Sequence, residues 1–288
     1  MKRRACEAQK RVYVRTAASV NLPLRDVDIA HSAAIEGEGK GIPAYVCLPD
    51  GATEADPCPA ILVMCGLDGH RPDFTMLLEA LTESDGWATI LVDIPGTADC
   101  PASPQDPAAA ERMCTSVLEW MKSEGTLDMR KIVCWGLSAG GYYAVRAAHT
   151  HARQFLAALG QGAGTHHFFS REWLEKGQWH EYPWTFLPAL TQKFGYESTE
   201  EFLEKEQQDF SLVEAAILDM PSCRLLFING VQDGLMPIED SSLLLERRSP
   251  KEARFFPGLA RMANPAALEV ALSWLESVVR VWQPSCKC

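Results

Sequence analysis

The reading of the chain turns on Lys131–His151, KIVCWGLSAGGYYAVRAAHTH. Lys131–Gly136 is a short apolar run with β-branched Ile132 and Val133, which reads as a strand. Gly141–His151 reads as a helix. Between them, Gly136-Leu137-Ser138-Ala139-Gly140 places a serine on a turn whose neighbours are small. A turn that sharp is strained and tolerates only small residues beside its apex. This strand–turn–helix context is that of a nucleophile elbow, with Ser138 at its tip.

Outward from the elbow the same alternation repeats. Pro59–Gly66 (PAILVMCG) is an unbroken apolar run that closes on glycine, Ala88–Gly96 (ATILVDIPG) and Cys223–Gly230 (CRLLFING) repeat its form, and Phe155–Gly164 and Ala253–Phe256 are further strands. Strands of this kind belong to parallel sheets covered on both faces. Helices are expected over Asp73–Ser84, Ala108–Glu124, Gly141–His151, Asp240–Arg248 and Asn264–Val279. In the last, Leu268, Ala271, Leu272 and Leu275 form one apolar stripe. Asp26–His31 and Gly41–Leu48 read as an antiparallel pair at the sheet edge. The sum is an α/β-hydrolase fold, a mostly parallel doubly wound sheet. Residues 1–164 and 221–288 form its core. Residues 165–220 show no strand and gather Phe168, Phe169, Trp173, Trp179, Tyr182, Trp184 and Phe186. They read as a helical lid inserted between two strands, over an aromatic-lined pocket.

Composition narrows the partners. The chain has 288 residues, a net charge of −11 and 47% hydrophobic residues. That is the profile of a globular domain with a sizeable core. An acidic chain is a poor match for nucleic acid or an anionic membrane, and the short basic run Lys2-Arg3-Arg4 reads as a solvated tail. No apolar stretch reaches the roughly 20 residues of a spanning helix, and none follows the N-terminal basic residues as in a signal peptide. The ten cysteines include no CxxC pair, and Cys47, Cys65 and Cys134 lie in strands. Reduced thiols in the cytoplasm are expected, with no metal site and no cofactor.

Further site residues follow from the fold. Cys65-Gly66-Leu67-Asp68-Gly69 ends an earlier strand, on the loop that faces the elbow in an α/β-hydrolase. The amides of Leu67 and Ala139 are the expected oxyanion hole. Asp233, after the strand Cys223–Gly230, is in the chain order of the triad acid, although Asp-Gly is also a turn former. The triad histidine is missing. The stretch after the last strand reads Pro257-Gly258-Leu259-Ala260-Arg261-Met262-Ala263-Asn264-Pro265. Arg261 cannot replace it as a base, because a guanidinium stays protonated.

Four stretches carry a family resemblance: Trp135–Phe169, Asn229–Ser242 (NGVQDGLMPIEDSS), Ser249–Phe256 (SPKEARFF) and Ile42–Asp50 (IPAYVCLPD). They resemble the fungal α/β-hydrolases that accompany polyketide synthases, a group of FrsA-like esterases whose best-known members shorten a pigment heptaketide by cleaving a C–C bond beside a carbonyl. The likeness runs from about Arg25 to Val279. It implies Ser138 as nucleophile and Asp233 as triad acid. The chain departs from the family at two points: the relatives carry a longer helical N-terminal region, and they read His-Met-Gly-x-Pro where this chain has Arg261–Pro265. The resemblance therefore implies a polyketide thioester, or a synthase acyl carrier, as partner, with the usual base replaced. A homodimer is compatible with such a chain.

Cysteine needs less activation than serine, which makes Cys114 and Cys100 candidates to take the acyl chain. Cys114 shares an apolar stripe with Ala110, Val117 and Met121, so the competing reading is a core thiol. His166 and His167, at the start of the lid, are candidates for proton transfer or substrate contact, and Arg261 for substrate contact. His70 and Arg71, after the oxyanion loop, are candidates to meet a carboxylate, phosphopantetheine or polyketone oxygens, or else are surface residues. The expected activity is release or fusion of a β-keto acyl chain, by acyl transfer or Claisen-type C–C bond formation with some hydrolysis. The alternatives are a retro-Claisen or thioester hydrolase using His166 or His167 as base, and a non-catalytic chain-binding partner of the synthase.

Overall fold

Side chains alternate across a strand, so an apolar run with no polar break needs cover on both faces. The computed structural model supplies that cover. It describes residues 24–281 apart from 75–76, 78–80, 83–85, 181 and 183. Strands β1 (Leu24–Ala30), β2 (Gly41–Cys47), β3 (Cys58–Met64), β4 (Ala88–Val92), β5 (Leu127–Leu137), β6 (Ala157–Gln161), β7 (Arg224–Gly230) and β8 (Glu252–Phe256) form one sheet in the order β1-β2-β4-β3-β5-β6-β7-β8. The β1–β2 and β2–β4 pairs are antiparallel and the rest are parallel. This is the α/β-hydrolase arrangement.

On one face Ile61, Val63, Val133 and Leu159 pack with Ala271, Trp274 and Leu275 of helix α7 (Ala266–Val281). On the other, Leu62, Met64, Ile90 and Cys134 pack with α1 (Ala109–Ser123) and α2 (Ala139–Thr150). Of the expected stripe, Ala271 and Leu275 are buried and Leu272 packs partly buried beside them, while Ala267, Trp274 and Val278 complete the buried face in place of Leu268. Leu268 faces solvent at 43% exposure, while Ala267 beside it is fully buried. The helix expected over Asp73–Ser84 falls largely, and the basic tail with Cys6, Cys286 and Cys288 wholly, outside the described residues. The seven described cysteines form no disulfide.

Between β6 and β7 the chain runs through α3 (Arg171–Gly177), α4 (Phe186–Lys193) and α5 (Thr199–Phe210), with no strand among the described residues. Its first turn is fixed by Asp240 of α6 (Ile238–Glu246). That fully buried carboxylate accepts hydrogen bonds from the backbone N–H groups of Thr165 (2.7 Å), His166 (3.1 Å), His167 (2.7 Å) and Phe168 (3.1 Å).

The loop after β1 is pinned to α1 through Glu38. Its carboxylate accepts from Arg112 Nε (3.0 Å) and Nη2 (2.8 Å), and from the Ser103 and Ile35 amides (3.1 Å each). Burial alone would raise the Glu38 carboxyl; these donors instead bring it down to about 2. A carboxyl depressed on folding stabilises above its unfolded value and loses that contribution as pH falls toward the folded one. Glu38→Gln is therefore expected to cost roughly 2–3 kcal/mol at neutral pH. Denaturant unfolding at stepped pH should show the gap to wild type closing as pH drops from about 4.5 to about 2.

Candidate active site

The turn after β5 puts Ser138 at φ 55° and ψ −121°, a strained conformation forced by the close packing around it. A side chain at Gly140 would lie 2.2 Å from the Met64 carbonyl oxygen, and one at Gly136 would lie 2.1 Å from that of Gly140. Only glycine fits at either place. The Ser138 amide donates to the Gln161 carbonyl at 2.8 Å, which ties the elbow to the end of β6. Ser138 is 6% exposed and lines a cavity of about 510 Å³. Leu67 and Ala139 line the same cavity. Neither amide finds an acceptor among the described residues, and Gly66, beside Leu67, approaches the Ser138 side chain. Leu67, Ser138 and Ala139 thus line one cavity, the set of residues that an oxyanion hole beside a serine would use.

Arg261 stands beside the serine. Its Nη2 is 3.3 Å from Ser138 Oγ and 2.9 Å from Asp68 Oδ1, and its guanidinium lies 5.1 Å from the Tyr182 ring centroid. The Tyr182 hydroxyl donates to Asp68 Oδ2 at 2.5 Å. Asp68 and Tyr182 therefore hold the guanidinium against the Ser138 hydroxyl. Left-handed Met262 and Ala263 (φ 57° and 56°) turn the chain just after it. Asp233 is buried and accepts from the amides of Leu235 and Met236 (2.9 Å each) and from the Met262 amide (3.2 Å). Where a triad acid would orient a histidine, this carboxylate orients the backbone of the Arg261 loop. Gln161 supports that loop as well, donating to the Met262 carbonyl and to Asn264 Oδ1, both at 3.1 Å.

The other expected residues do not join them. Cys114 is 1% exposed, packs in the core and does not line the cavity. Burial, with the charge of Glu111, pushes its thiol up, away from the thiolate form. Its expected acyl-carrying role is thus corrected by its place in the fold. Cys114→Ala is expected to cost about 1–2 kcal/mol of stability through lost packing. Acyl loading should stay unchanged, as denaturation and intact-mass measurements would show. Cys100 is also outside the cavity lining; its Sγ lies 3.6 Å from Met113 Sδ and burial pushes it up to about 12. His166 and His167 are turned away as well. The His166 ring bonds Ser211 Oγ at 2.7 Å, burial lowers its pKa, and His167 is exposed. The Asp240 cradle fixes their backbones so that Phe168, not a histidine, enters the wall.

The cavity holds a histidine that the sequence left between a ligand role and the surface. His70 lines it, with Nδ1 3.7 Å from Asp93 Oδ1, and that carboxylate raises the ring's pKa. Arg71 does not face the cavity; it is buried in ion pairs with Asp93 and Asp99. Asp68, Tyr182 and Lys193 were not foreseen as polar lining. Asp68 stood inside the quoted oxyanion loop, but its partner is nearly two hundred residues away. Among the described residues no group of three or more His, Cys, Asp or Glu could hold a metal, and no helix is long and apolar enough to cross a membrane.

The profile of the esterase FrsA-like family matches residues 4–280. Esterase FrsA from Citrobacter koseri is 24% identical over 216 residues, covering 73% of this chain and 50% of that protein. Hydrolyase poxO from Penicillium oxalicum is 27% identical over 138 residues, covering 45% and 32%. The chain thus spans half or less of these relatives. Among solved structures, a 2,6-dihydroxy-pseudo-oxynicotine hydrolase aligns with a TM-score of 0.76 at 18% identity, covering 94% of this chain and 71% of that one. AbyA5 aligns with a TM-score of 0.77 at 16% identity, covering 95% and 77%. At such identities these structures share the fold.

Proposed function

Because the chain belongs to the esterase FrsA-like family of α/β-hydrolase-fold proteins, we propose that it takes a β-keto acyl chain from a polyketide thioester and passes it to a carbon acceptor. One observation carries this reading: a guanidinium, which cannot accept a proton, lies 3.3 Å from the nucleophile where a base would be.

In the first half-reaction Ser138 Oγ attacks the thioester carbonyl. The new C–O bond forms as the C–S bond breaks, the hydroxyl proton leaves with the thiol, and the Leu67 and Ala139 amides hold the oxyanion. Arg261 favours the developing alkoxide by charge. Water deacylates a serine ester efficiently only with a general base, which contributes about 10²–10⁴-fold. Here that help is absent, so the acyl-serine persists. A second β-keto chain needs less help, because its α-hydrogen lies between two carbonyls and is acidic. The α-proton passes to solvent, the carbanion attacks the ester, a C–C bond forms, the C–O bond to Ser138 breaks, and the released serine oxygen takes a proton back from solvent. The mostly apolar cavity suits acyl chains. The family resemblance of the sequence supports a polyketide substrate and a synthase partner.

A hydrolytic reading retains one specific observation: His70, backed by Asp93, is a histidine in the cavity. Asp93 favours its protonated form, which donates protons rather than accepting them.

Intact-protein mass spectrometry after exposure to a short β-keto acyl N-acetylcysteamine thioester tests the acylation step. The acyl mass should appear on wild type, Cys100→Ala and Cys114→Ala alike, and vanish with Ser138→Ala. An adduct that survives Ser138→Ala, or depends on Cys114, overturns the serine mechanism. Loss of turnover in His70→Gln with hydrolysis as the only reaction would favour the hydrolytic reading.

A further inference from the structure

Behind the main cavity lies a recess of about 20 Å³, partly open rather than sealed. Ala139, Phe168, Leu190, Lys193 and Met236 line both spaces, and the rest of the recess wall is glycine and aromatic rings. Every residue of that wall is buried except Ala139, which is half-buried and lines the main cavity beside Ser138. The recess therefore opens onto the main cavity, not onto solvent. Three polar side chains stand in its wall, and each commits its polar end elsewhere. The Tyr142 hydroxyl donates to the Phe210 carbonyl at 2.8 Å. Lys193 Nζ donates to the Tyr143 hydroxyl at 2.6 Å and to the Pro95 carbonyl at 3.1 Å. What faces the recess is ring and methylene, so its surface is almost wholly apolar. A single water fits in about 10–15 Å³ but needs about two to four polar partners, and this wall offers it almost none. A methyl group is only slightly larger and needs no partner.

We propose that this recess is a hydrocarbon-end subsite, which receives the terminal methyl of a short acyl chain held at Ser138. The subsite rests on the reading that the cavity takes an acyl chain, and makes that reading more specific: the preferred chain is short and ends in plain alkyl, with its oxygens confined to the carbons nearer the reacting carbonyl. Ala139 directly follows the nucleophile, so the recess meets the chain within a few carbons of that carbonyl. Burying the chain end removes apolar surface from water, whereas a terminal hydroxyl of the same size would give up its bonds to water and find none in exchange. A carbon beyond the fit meets packed rings. Phe169, at the recess, is 2% exposed, with the Phe168 and Tyr142 ring centroids edge-on at 5.0 and 5.3 Å. Such packing has little room to give.

The test measures binding, separately from turnover. Unbranched 3-oxoacyl amides, lengthened one carbon at a time, are titrated into wild type and Phe169→Leu, each beside the analogue whose terminal methyl is replaced by a hydroxyl. The amides cannot release a thiol, so the readout does not depend on acyl transfer. Wild-type affinity should rise about fourfold per carbon as the chain end enters the recess. One carbon past the best length it should fall about fivefold or more. At the best length the hydroxyl analogue should bind about tenfold or more weakly than its methyl partner. Phe169 lines the recess and not the main cavity, so Phe169→Leu should move the best length to a longer chain. The wild-type series decides by itself if that variant does not fold. Affinity that climbs with length without a drop, methyl and hydroxyl ends bound alike, or a best length unmoved in folded Phe169→Leu overturns the subsite while leaving the acyl-chain reading standing. Failure of every amide to bind overturns both.

Discussion

Arg261→His is expected to turn the site toward hydrolysis, raising release of free acid from a simple ester or thioester by about 10²–10⁴-fold, the usual contribution of a general base. The expectation rests on what surrounds the position. Asp233 is already buried on the adjoining loop, with Oδ2 bonded to the Met262 amide at 3.2 Å. Ser138 Oγ is already within 3.3 Å of the arginine head. An imidazole is shorter than the arginine side chain and can accept the serine proton, then activate water against the acyl-serine. The same change frees Asp68, which now holds Arg261 Nη2 at 2.9 Å on a half-exposed surface, so little stability should be lost. A p-nitrophenyl ester assay reads the effect. No gain over wild type would mean that base position and serine are not in register.

The largest stability effect is expected from Asp240→Ala. Four backbone N–H groups at the start of the insertion converge on this fully buried carboxylate. Burial raises its pKa, and the four donors act against that rise. Without the carboxylate, buried donors lose their acceptor, each worth about 1–3 kcal/mol when unsatisfied. Allowing for water entry, a loss of roughly 4–5 kcal/mol is expected, at the extreme end for single substitutions. Denaturant unfolding measures it. The insertion should also become protease-sensitive before the sheet does, because the lost contacts join residues 165–168 to α6.

The sequence was most legible where a constraint is local. The elbow could be read because Gly136 and Gly140 have no room for a side chain, and the central strands because both faces of the sheet are covered. Even so, the apolar stripe of α7 was right at Ala271, Leu272 and Leu275 and wrong at Leu268, since Leu268 and Ala267 are both apolar and only packing chooses between them. The site was half legible. The absence of a histidine near Arg261 was plain, and so was the competing core reading of Cys114. His166 and His167 follow β6 toward the site in sequence, but the Asp240 cradle turns their backbone and sends Phe168 inward. That depends on a residue more than seventy positions away. Lys193 gave no signal, because a single lysine after an apolar helix reads as a solvated end until Tyr143 and Pro95 are brought to it.

The most direct test of the central claim is the product profile of the wild-type protein on a β-keto acyl thioester. Mass-resolved chromatography would follow it, with thiol release counted in parallel. A base-free acyl-serine predicts a product containing two acyl units joined by a new C–C bond, in excess over free acid, with the balance reversed in Arg261→His. Free acid as the sole wild-type product, formed at a rate that Arg261→His leaves unchanged, would contradict it.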